Sequence, residues 1–512
     1  AGVTVRDLHS GQEYQTEYHY RDGYYDGAEK EFRGFGAVRK LEFGSPEAPT
    51  VKNLFTFDVG DSEESRKGLV LSSASLEENG TVSPPVGLFE TADNELDTQQ
   101  IAVGLNNEQV RFSYVSATTS NIYEGGTVPV SLYQEIEKDI YGNTTKEYQY
   151  GIVEGTDQAA GGDEILTDTA YDIDTDAWLV NLPKEMSSTT LDGSFIARKR
   201  LFYDEKGNLR REEGSPDGTT FLPLVRNEYD NYGNIILITD ANEKCRNIDY
   251  DEQFHTFPIR ESICGLNLLM EAEYDTGLGV LTEHTDFNQQ VTQYDYDPLG
   301  RLTAIIRPGD TLALPTQNFA YQVGNPLSAV RTSLREQAGN TATYDSITYY
   351  DGLGRKLQAR SEDNQGRWIV SNAVDFNLRR QPDRQWQPYF SSTAAYEPPD
   401  PTQPFTRLLY DAKARVREQV NPDSTVRRTE FAPLSRIEYD EEDMATGGLH
   451  ANTPTRFFSD GLERLIRVEE QNGSQTYVTQ YGYDGLNNLV HIKDNEQNIK
   501  TMSFDGLGRK QY

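Results

Sequence analysis

A short motif recurs along most of this sequence, and it constrains the fold more than any other feature. In its full form the motif is Tyr or Phe, then Asp, two variable residues, Gly, and Arg or Asn. Full or nearly full copies supply these residues: Tyr203, Asp204 and Gly207; Tyr229, Asp230 and Gly233; Tyr296, Asp297, Gly300 and Arg301; Tyr350, Asp351, Gly354 and Arg355; Tyr483 and Asp484; Asp505, Gly508 and Arg509. Self-similarity at a period of about 25 residues indicates that one supersecondary unit is repeated along the chain.

Weaker copies fill the intervals and bring the array to about 13 repeats. They lie at Tyr250, Tyr274, Tyr321, Asp375, Tyr410, Phe431 and Asp460. In some copies Ala414, Ser435 or Glu463 stands where Gly is expected, and in others Gln322 or Ala432 replaces the Asp. We expect altered or looser turns at these positions. A catalytic motif would not tolerate such scatter, so the motif is predicted to be structural.

The residue types of the motif are those of a tight turn. Asp followed by Pro or Gly, with Gly three positions after the Asp, is typical of a type I turn closed by a left-handed residue. We therefore predict positive φ angles at Gly300, Gly354 and Gly508. The Tyr ends one strand, the residues after Arg or Asn begin the next, and a second turn follows about ten residues later. Each repeat is thus predicted to be one β-hairpin.

Consecutive hairpins predict an all-β fold built on one long antiparallel sheet. About 25 strands cannot remain flat, because sheet twist makes so long a sheet curl, close or split. With one face wetted, we expect it to curl into a hollow shell. Residues 201–512 are assigned to the repeats and residues 1–200 to a preceding β-rich region. A Pro-rich insertion at residues 381–403 is predicted to be a surface loop.

Charge and composition exclude several functions. The 512-residue chain has 82 acidic and 48 basic residues, a formal net charge of −34. This field repels phosphate backbones and anionic lipid, so we expect neither nucleic-acid nor membrane binding. The longest apolar run, residues 235–238, is too short to span a bilayer.

No catalytic or metal-binding pattern stands out, and we predict no enzyme activity, no metal and no cofactor. Residues 172–176 resemble the start of a calcium loop, but the Gly and Glu that such a loop requires are replaced by Ala177 and Pro183. Cys245 and Cys264 form no disulfide framework. They are expected to be small core residues, with a single bridge between them as the alternative.

The motif resembles the YD or Rhs repeat of bacterial Rhs toxins, toxin complexes and animal teneurins, and it covers residues 202–512. The sequence YHYRDGYYD at residues 18–26, followed by EFRGFG at residues 31–36, narrows the resemblance. It is similar to the segment that precedes the repeats in the B component of insecticidal toxin complexes and in SpvB-like proteins. AWLVNLP at residues 177–183 resembles a segment that leads into those repeats. Residues 1–200 are accordingly identified as similar to the middle region of a B component.

The resemblance implies a function and partners. In that family the B and C components build a secreted cocoon around the toxic C-terminus of the C component, and a propeller on B docks it onto a pentameric A-type channel. We therefore expect a structural shell segment that encapsulates a toxic polypeptide outside the producing cell, with a C-type Rhs component as its partner. The propeller is not recognised in this chain. The family's protease bears paired D-P-x-G elements, whereas this chain has one, at Asp297. An extracellular adhesion or recognition array is the alternative function.

Overall fold

The computed structural model describes residues 1–155, 157–324, 327–363 and 365–511. In this part of the chain it has 38 β-strands, two single 3-10 turns at Glu64–Arg66 and Leu105–Asn107, and no α-helix. The strand pairs are antiparallel and form two sheets. The predicted all-β class is therefore confirmed.

The first sheet has 27 strands and is a meander, in which each strand pairs with the next from β1 to β26 and β29 then adds to β26. Its N-terminal strands are β1 (Gly2–Arg6), β2 (Glu13–Asp26), β3 (Glu31–Glu42), β4 (Val51–Phe57), β5 (Val70–Thr81), β6 (Val86–Val103), β7 (Gln109–Ile122), β8 (Val130–Lys138), β9 (Thr144–Val153), β10 (Ile165–Asp174), β11 (Leu179–Thr189) and β12 (Phe195–Tyr203). The remainder are β13 (Leu209–Gly214), β14 (Leu222–Tyr229), β15 (Ile235–Asp240), β16 (Cys245–Tyr250), β17 (Pro258–Ile263), β18 (Leu269–Asp275), β19 (Val280–Thr285), β20 (Val291–Tyr296), β21 (Leu302–Ile306), β22 (Gln317–Gln322), β23 (Ser328–Arg335), β24 (Thr343–Tyr350), β25 (Lys356–Glu362), β26 (Trp368–Ser371) and β29 (Tyr389–Ser391).

The second sheet has 11 strands and continues the meander to the end of the described chain. It comprises β27 (Val374–Phe376), β28 (Pro382–Trp386), β30 (Phe405–Tyr410), β31 (Val416–Val420), β32 (Val426–Ala432), β33 (Ser435–Tyr439), β34 (Thr455–Ser459), β35 (Leu465–Asn472), β36 (Gln475–Tyr483), β37 (Leu489–Lys493) and β38 (Ile499–Thr501). The ladder of the first sheet runs unbroken through β12, where the division between residues 1–200 and 201–512 was placed. That division stays a prediction.

The wall curls into a spiral, because residues about 300 positions apart are in contact. Arg355 donates a hydrogen bond to the Tyr14 hydroxyl (2.9 Å), 341 residues earlier in the sequence. The Gly461 amide donates to Asp163 (2.5 Å), 298 residues earlier. We call residues 1–324 the first winding and residues 327–511 the second winding. The line along which they touch is the seam.

Part of the buried core lies at the seam, because a single sheet layer leaves much of both faces in water. Val51 and Phe89 of the first winding form a buried cluster with Ala412 of the second winding. Asp163 and Ser215 of the first winding are buried at the same line. The contact between windings thus adds to the clusters that lie within a single winding.

The insertion at residues 381–403 is not the surface loop that its composition predicted. It contains β28 and β29, and Trp386 is buried in a cluster with Val370 and Ala373. The Trp386 indole donates to the carbonyl of Asp400 at 3.1 Å. The Pro residues lie around a small apolar core, and that core orders the segment.

The weak repeat placed at Asp375 is displaced by two residues. The turn is anchored by Asn377, whose amide donates to the carbonyl of Gln381 at 2.9 Å. Its side-chain oxygen accepts from the Arg379 amide (2.9 Å), and Arg380 takes the left-handed conformation with φ 65°. Asn replaces Asp here because the turn needs an acceptor and does not need a charge.

Two turns that lack Gly are as tight as the full copies, so the prediction of looser turns is wrong for them. Ala414 and Glu463 take φ angles of 69° and 61°. In the first of these turns, Arg415 donates its Nε–H to Asp411 at 2.8 Å. The side-chain hydrogen bonds of the Asp offset a strain of about 1–2 kcal/mol for a non-Gly residue in this region.

Loss of the Asp, by contrast, does alter the turn. At Ala432 the hairpin is shortened, since Ala432 pairs directly with Ser435 and Leu434 takes φ 48°. The weak copy at Gln322 leads into Asn325 and Pro326, which lie outside the described residues. The turn geometry is therefore kept where an Asp or Asn side chain accepts the hydrogen bonds, and it changes at Ala432, where both that acceptor and the Gly are absent.

Cys245 and Cys264 form a disulfide with a Cα–Cα distance of 5.3 Å, so the prediction of two separate core residues is wrong. Their neighbours Arg246 and Ile263 are paired between β16 and β17, which brings the two cysteines opposite each other one step further along. The Cys264 amide also donates to the Cys245 carbonyl at 2.9 Å. The bridge links the two strands of adjacent hairpins.

Candidate functional site: the repeat turns and the seam

The turn at Asp297 shows how each letter of the motif acts. One carboxylate oxygen accepts from the amides of Leu299 (2.9 Å) and Arg301 (3.0 Å), and the other accepts from the Arg301 Nε–H at 2.6 Å. The Gly300 amide donates to the Asp297 carbonyl at 2.9 Å, and Gly300 has φ 74°. This is a type I turn closed by a left-handed residue.

The other full copies share this geometry. With Arg in the last position, Nε donates to the Asp at 2.7 Å in turn 351–355 and 2.8 Å in turn 505–509. With Asn there, the side-chain amide donates at 2.9 Å in turns 204–208 and 230–234 and at 3.0 Å in turn 484–488. The left-handed residues and their φ angles are Gly207 84°, Gly233 92°, Gly354 78°, Asn487 63° and Gly508 72°. The positive φ predicted for Gly300, Gly354 and Gly508 is confirmed.

The turn environment keeps the Asp side chains ionised. Hydrogen bonds from Arg509 hold the pKa of Asp505 below its ordinary value, against the opposing effect of burial. At Asp297 and Asp204 burial is the largest single influence and would raise the pKa, but the hydrogen bonds of the turn together outweigh it and the pKa is lowered. An ionised carboxylate is the better acceptor, so the turns at Asp204, Asp297 and Asp505 stabilise the charge that holds them together.

The Tyr of the motif links neighbouring repeats. Its hydroxyl donates to a backbone carbonyl of the preceding hairpin: Tyr203 to Pro183 (3.0 Å), Tyr229 to Leu209 (2.8 Å), Tyr321 to Leu302 (2.9 Å), Tyr410 to Pro382 (2.7 Å) and Tyr483 to Leu465 (3.0 Å). Tyr296 and Tyr350 end β20 and β24 and pair with Leu302 and Lys356. Burial raises the pKa of Tyr410 to about 12. The hydroxyl therefore remains a donor at any physiological pH.

At the seam, turns of the second winding contact the edge of the first winding that lies opposite the first winding's own repeat turns. Turn 411–415 carries the strongest ionic contact. Glu124 of the first winding accepts from Arg415 at 2.5 and 3.0 Å and pairs with Lys413 at 3.5 Å. Only 6% of the Glu124 side chain is exposed. Lys413 also pairs with Glu90 at 2.6 Å, which makes a four-residue ionic cluster across the seam.

Gly directly after the Asp allows close approach to the first winding at two turns, and the sequence analysis missed this role. A Cβ on Gly506 would lie 2.5 Å from the Ser215 carbonyl oxygen and 2.7 Å from the Phe195 ring. A Cβ on Gly461 would lie 2.6 Å from an Asp163 oxygen. These glycines are required by close approach, since neither has a positive φ angle. The dipeptide Asp-Gly, instead of Asp-Pro or Asp-Asn, was the signal available in the sequence.

Asp163 is the buried acid of the seam. Burial raises its pKa, opposed by hydrogen bonds from the amides of Gly461 (2.5 Å) and Ile152 (3.3 Å), and the charge of nearby Asp460 raises it further. The negative charge of Asp460 on the second winding therefore opposes ionisation of Asp163 on the first winding.

The turn also occurs before the predicted start of the repeats. Asp139 donates its amide to the Asn143 carbonyl at 2.9 Å and accepts from the Asn143 side chain at 2.9 Å, and Gly142 has φ 87°. The sequence analysis missed this copy because Lys138 stands where the Tyr is expected. The same turn chemistry therefore begins within the N-terminal region.

Two further features, a metal site and a helix that could span a membrane, are absent from the described residues. Across residues 1–155, 157–324, 327–363 and 365–511, no group of three or more His, Cys, Asp or Glu side chains is arranged to hold a metal ion. Asp174 of the calcium-like segment instead accepts from the amides of Asp176 and Ala177, both at 2.9 Å. None of the described segments forms a helix long and apolar enough to cross a membrane.

Comparison with known proteins gives two family matches. A model described as the insecticide toxin TcdB middle/N-terminal region matches residues 1–51, and the RHS repeat model matches residues 274–312. No curated protein matches the chain. The two matched segments are the β1–β3 region, which includes the YHYRDGYYD sequence, and the repeats around Asp297.

Solved structures share the whole fold. The TcdB2-TccC3 crystal structure matches with a TM-score of 0.83 at 16% identity, covering 99% of this chain and 36% of that chain. The same complex without its hypervariable C-terminal region gives 0.83 at 14% identity, covering 99% and 38%. The Photorhabdus luminescens Tc holotoxin pore gives 0.79 at 14% identity, covering 97% and 37%. This chain thus spans little more than a third of the length of the chains that it matches.

The turns, the spiral wall and these matches agree on one description of the molecule. The chain carries Rhs-type repeats in a β-shell fold, and it resembles the B component of bacterial insecticidal toxin complexes.

Proposed function

We propose that the chain is a wall segment of a toxin complex, and that the wall encloses and shields a toxic polypeptide before delivery. The observation that carries this proposal is the seam. A sheet that only displayed binding loops would have no need to close on itself. Here charged and close-packed contacts seal one winding against the next, as a container requires.

The partner is a C-type Rhs component together with its enclosed toxic C-terminus. Support comes from the shared fold with TcdB2-TccC3, in which a TcdB-type chain is combined with a TccC-type chain. The Tc holotoxin match supports assembly with an A-type pentamer, through a propeller outside this chain. The Cys245–Cys264 disulfide supports an extracellular location, because disulfides persist in oxidising compartments.

The wall has no catalytic role in this proposal and takes no cofactor. The carboxylate of Asp297, from the single D-P-x-G element, accepts three hydrogen bonds within its own turn. An aspartic protease needs two carboxyl groups that share a proton. Turn geometry alone explains why Asp occurs at this position.

Protease protection tests the proposal. The protein is co-purified with a TccC-type component whose C-terminal tail is a small foreign domain, and the complex is digested. We expect the tail to resist cleavage in the parent and to become sensitive when Glu124→Gln and Gly506→Val weaken the seam. Asn231→Val, in a turn away from the seam, is the matched control and should keep the tail protected. A tail that is cut as fast in the parent complex as when free would contradict enclosure. Binding to host cells without any cargo protection would favour the adhesion alternative.

A further inference from the structure

One position of the repeat turn differs between the two windings. We call the residue immediately before the left-handed residue the tip residue. In the second winding, the tip residues Leu462, Leu486 and Leu507 are partly buried, whereas Leu353 near its start is 37% exposed. Leu507 reaches Gly214 of the first winding, where there is no room for a Cβ. An apolar tip in the second winding thus packs against the edge of another winding.

In the first winding, the tips of four consecutive repeats are apolar and exposed. Their exposed fractions are 66% for Tyr232, 48% for Phe254, 42% for Leu278 and 77% for Leu299. We call these four residues the free tip row. Single exposed apolar residues are ordinary, but a row on one edge of a wall indicates an interaction surface.

Turn chemistry does not explain apolar side chains at these positions. Lys206, Arg379 and Lys413 occupy the tip position of turns with the same backbone geometry. A polar tip is therefore compatible with the turn. Leu507 shows the kind of contact outside the turn that an apolar tip makes in the second winding.

The first two repeats of the row are in contact, and the row lies on the edge of the first winding that the second winding leaves uncovered. The Tyr232 ring stacks on His255 at 3.9 Å between centroids, which joins the first two repeats of the row. The second winding occupies the other edge of the first winding, through contacts such as that between the Gly506 amide and the Pro216 carbonyl (2.9 Å). Within the described chain, the hydrogen bonds and ring contacts of these four turns stay within neighbouring repeats.

We propose that the free tip row is a docking surface for the edge of a β-repeat wall in a separate YD-repeat polypeptide. The inference rests on the proposed function and adds the surface that receives the next wall. The seam shows the chemistry that the partner edge must present. Opposite Leu507 and Gly506 it offers a glycine, Gly214, and a backbone carbonyl, that of Pro216, beside apolar side chains such as Phe195. A flat charged surface would not accommodate the apolar tips.

The test uses TccC3 without its hypervariable C-terminal region as the probe. The tip variant carries Tyr232→Ser, Phe254→Ser, Leu278→Ser and Leu299→Lys, the last one copying the polar tip Lys206. The control variant carries Leu105→Ser, Val128→Ser and Leu449→Ser, which remove exposed apolar residues elsewhere. Light scattering after size exclusion gives stoichiometry, biolayer interferometry gives Kd, and circular dichroism confirms that both variants are folded.

We expect a 1:1 complex with the parent, and a Kd raised by about tenfold or more in the tip variant only, since buried aromatic anchors dominate interface energy. Equal binding by the parent and the tip variant, equal loss in both variants, or no complex with the parent would overturn the proposal. Self-association of the parent that is lost in the tip variant would assign the row to a second copy, and would overturn it too. Protease protection of the cargo is measured separately. Protected cargo together with unchanged binding by the tip variant would refute this inference and leave the proposed function standing.

Discussion

Turn 230–234 in the first winding and turn 505–509 in the second winding have the same backbone and different neighbours. Both are anchored by an Asp that accepts from the side chain four residues later, at 2.9 and 2.8 Å. Asn231 follows the Asp in the first, whereas Gly506 follows it in the second and touches Ser215. Local chemistry therefore sets the turn, and the close approach of the adjacent winding explains the Gly after the Asp in turn 505–509.

Among substitutions that test this difference between the two windings, the largest loss of stability is expected at the ionic cluster of the seam. Glu124→Gln removes the carboxylate that Arg415 and Lys413 share, and should lower the free energy of unfolding by about 2–3 kcal/mol through loss of the hydrogen bonds from Arg415. Urea denaturation measures the change. The control is Glu243→Gln, which removes an exposed pair with Arg226 (3.0 Å) in the first winding and should cost less than about 0.5 kcal/mol. Equal costs for the two variants would mean that the seam does not bury its charges.

A smaller effect is expected from a single added methyl group. Gly506→Ala places a Cβ 2.5 Å from the Ser215 carbonyl oxygen and should destabilise the protein by about 2 kcal/mol through overpacking. Asn231→Ala, at the same position of a turn that does not contact the other winding, should cost less than about 0.5 kcal/mol. Thermal melting of both variants is compared with the parent. A Gly506→Ala protein that melts with the parent would show that the windings do not approach this closely.

The left-handed position of a turn should respond to its φ angle alone, and two turns of the second winding test this. Gly354→Ala introduces a side chain at φ 78° and should cost about 1 kcal/mol. Ala414→Gly removes the same strain at φ 69° and should stabilise by about 1 kcal/mol. The two changes in urea midpoint should have opposite signs. A shift of the same sign in both would refute the turn assignment.

The smallest effect is a pH dependence with opposite signs in turn and seam. The pKa values of Asp204 and Asp505 are lowered by folding, so their stabilisation is present above about pH 4 and is lost as the pH falls through the folded-state values. The pKa of Asp163 is raised, mainly by burial, so its contribution is present below its unfolded value of 3.8 and is lost as the pH rises through the folded-state value. Asp163→Asn should therefore gain stability relative to the parent as the pH rises from 4 to 7. A difference in urea midpoint that does not vary with pH would contradict this assignment.

The sequence predicts what is local and misses what depends on contacts about 300 residues apart. The Asp297 anchor and the left-handed Gly300 follow from turn preferences within five residues. The close approach at Gly506 could not be derived, because nothing in the repeat states the length of one winding. The same limit applies to Trp386, whose core is assembled from strands on both sides of the insertion, so composition alone predicted a loop.

The predictions for the two cysteines and for the repeat at Asp375 are wrong for a different reason. Pairing of Cys245 with Cys264 follows from strand register, which sequence fixes only when both turns of a hairpin are placed correctly. The turn at residue 377 has Asn in place of the Asp that defines the motif. A broader pattern, an Asp or Asn with a side-chain donor four residues later, includes this turn and the turn at Asp139.

Amide hydrogen exchange tests the closed spiral most directly, at the residue that follows the Asp in each turn. The Gly461 amide donates to Asp163 (2.5 Å) and the Gly506 amide to the Pro216 carbonyl (2.9 Å). Glu205 and Asn231 occupy the same position in turns that do not contact the other winding. Their amides form no hydrogen bond with the described residues. We predict that Gly461 and Gly506 exchange at least about 100-fold more slowly than Glu205 and Asn231, since exchange then requires the windings to separate. Equally fast exchange at all four amides would mean that the second winding does not rest on the first and that the wall is open.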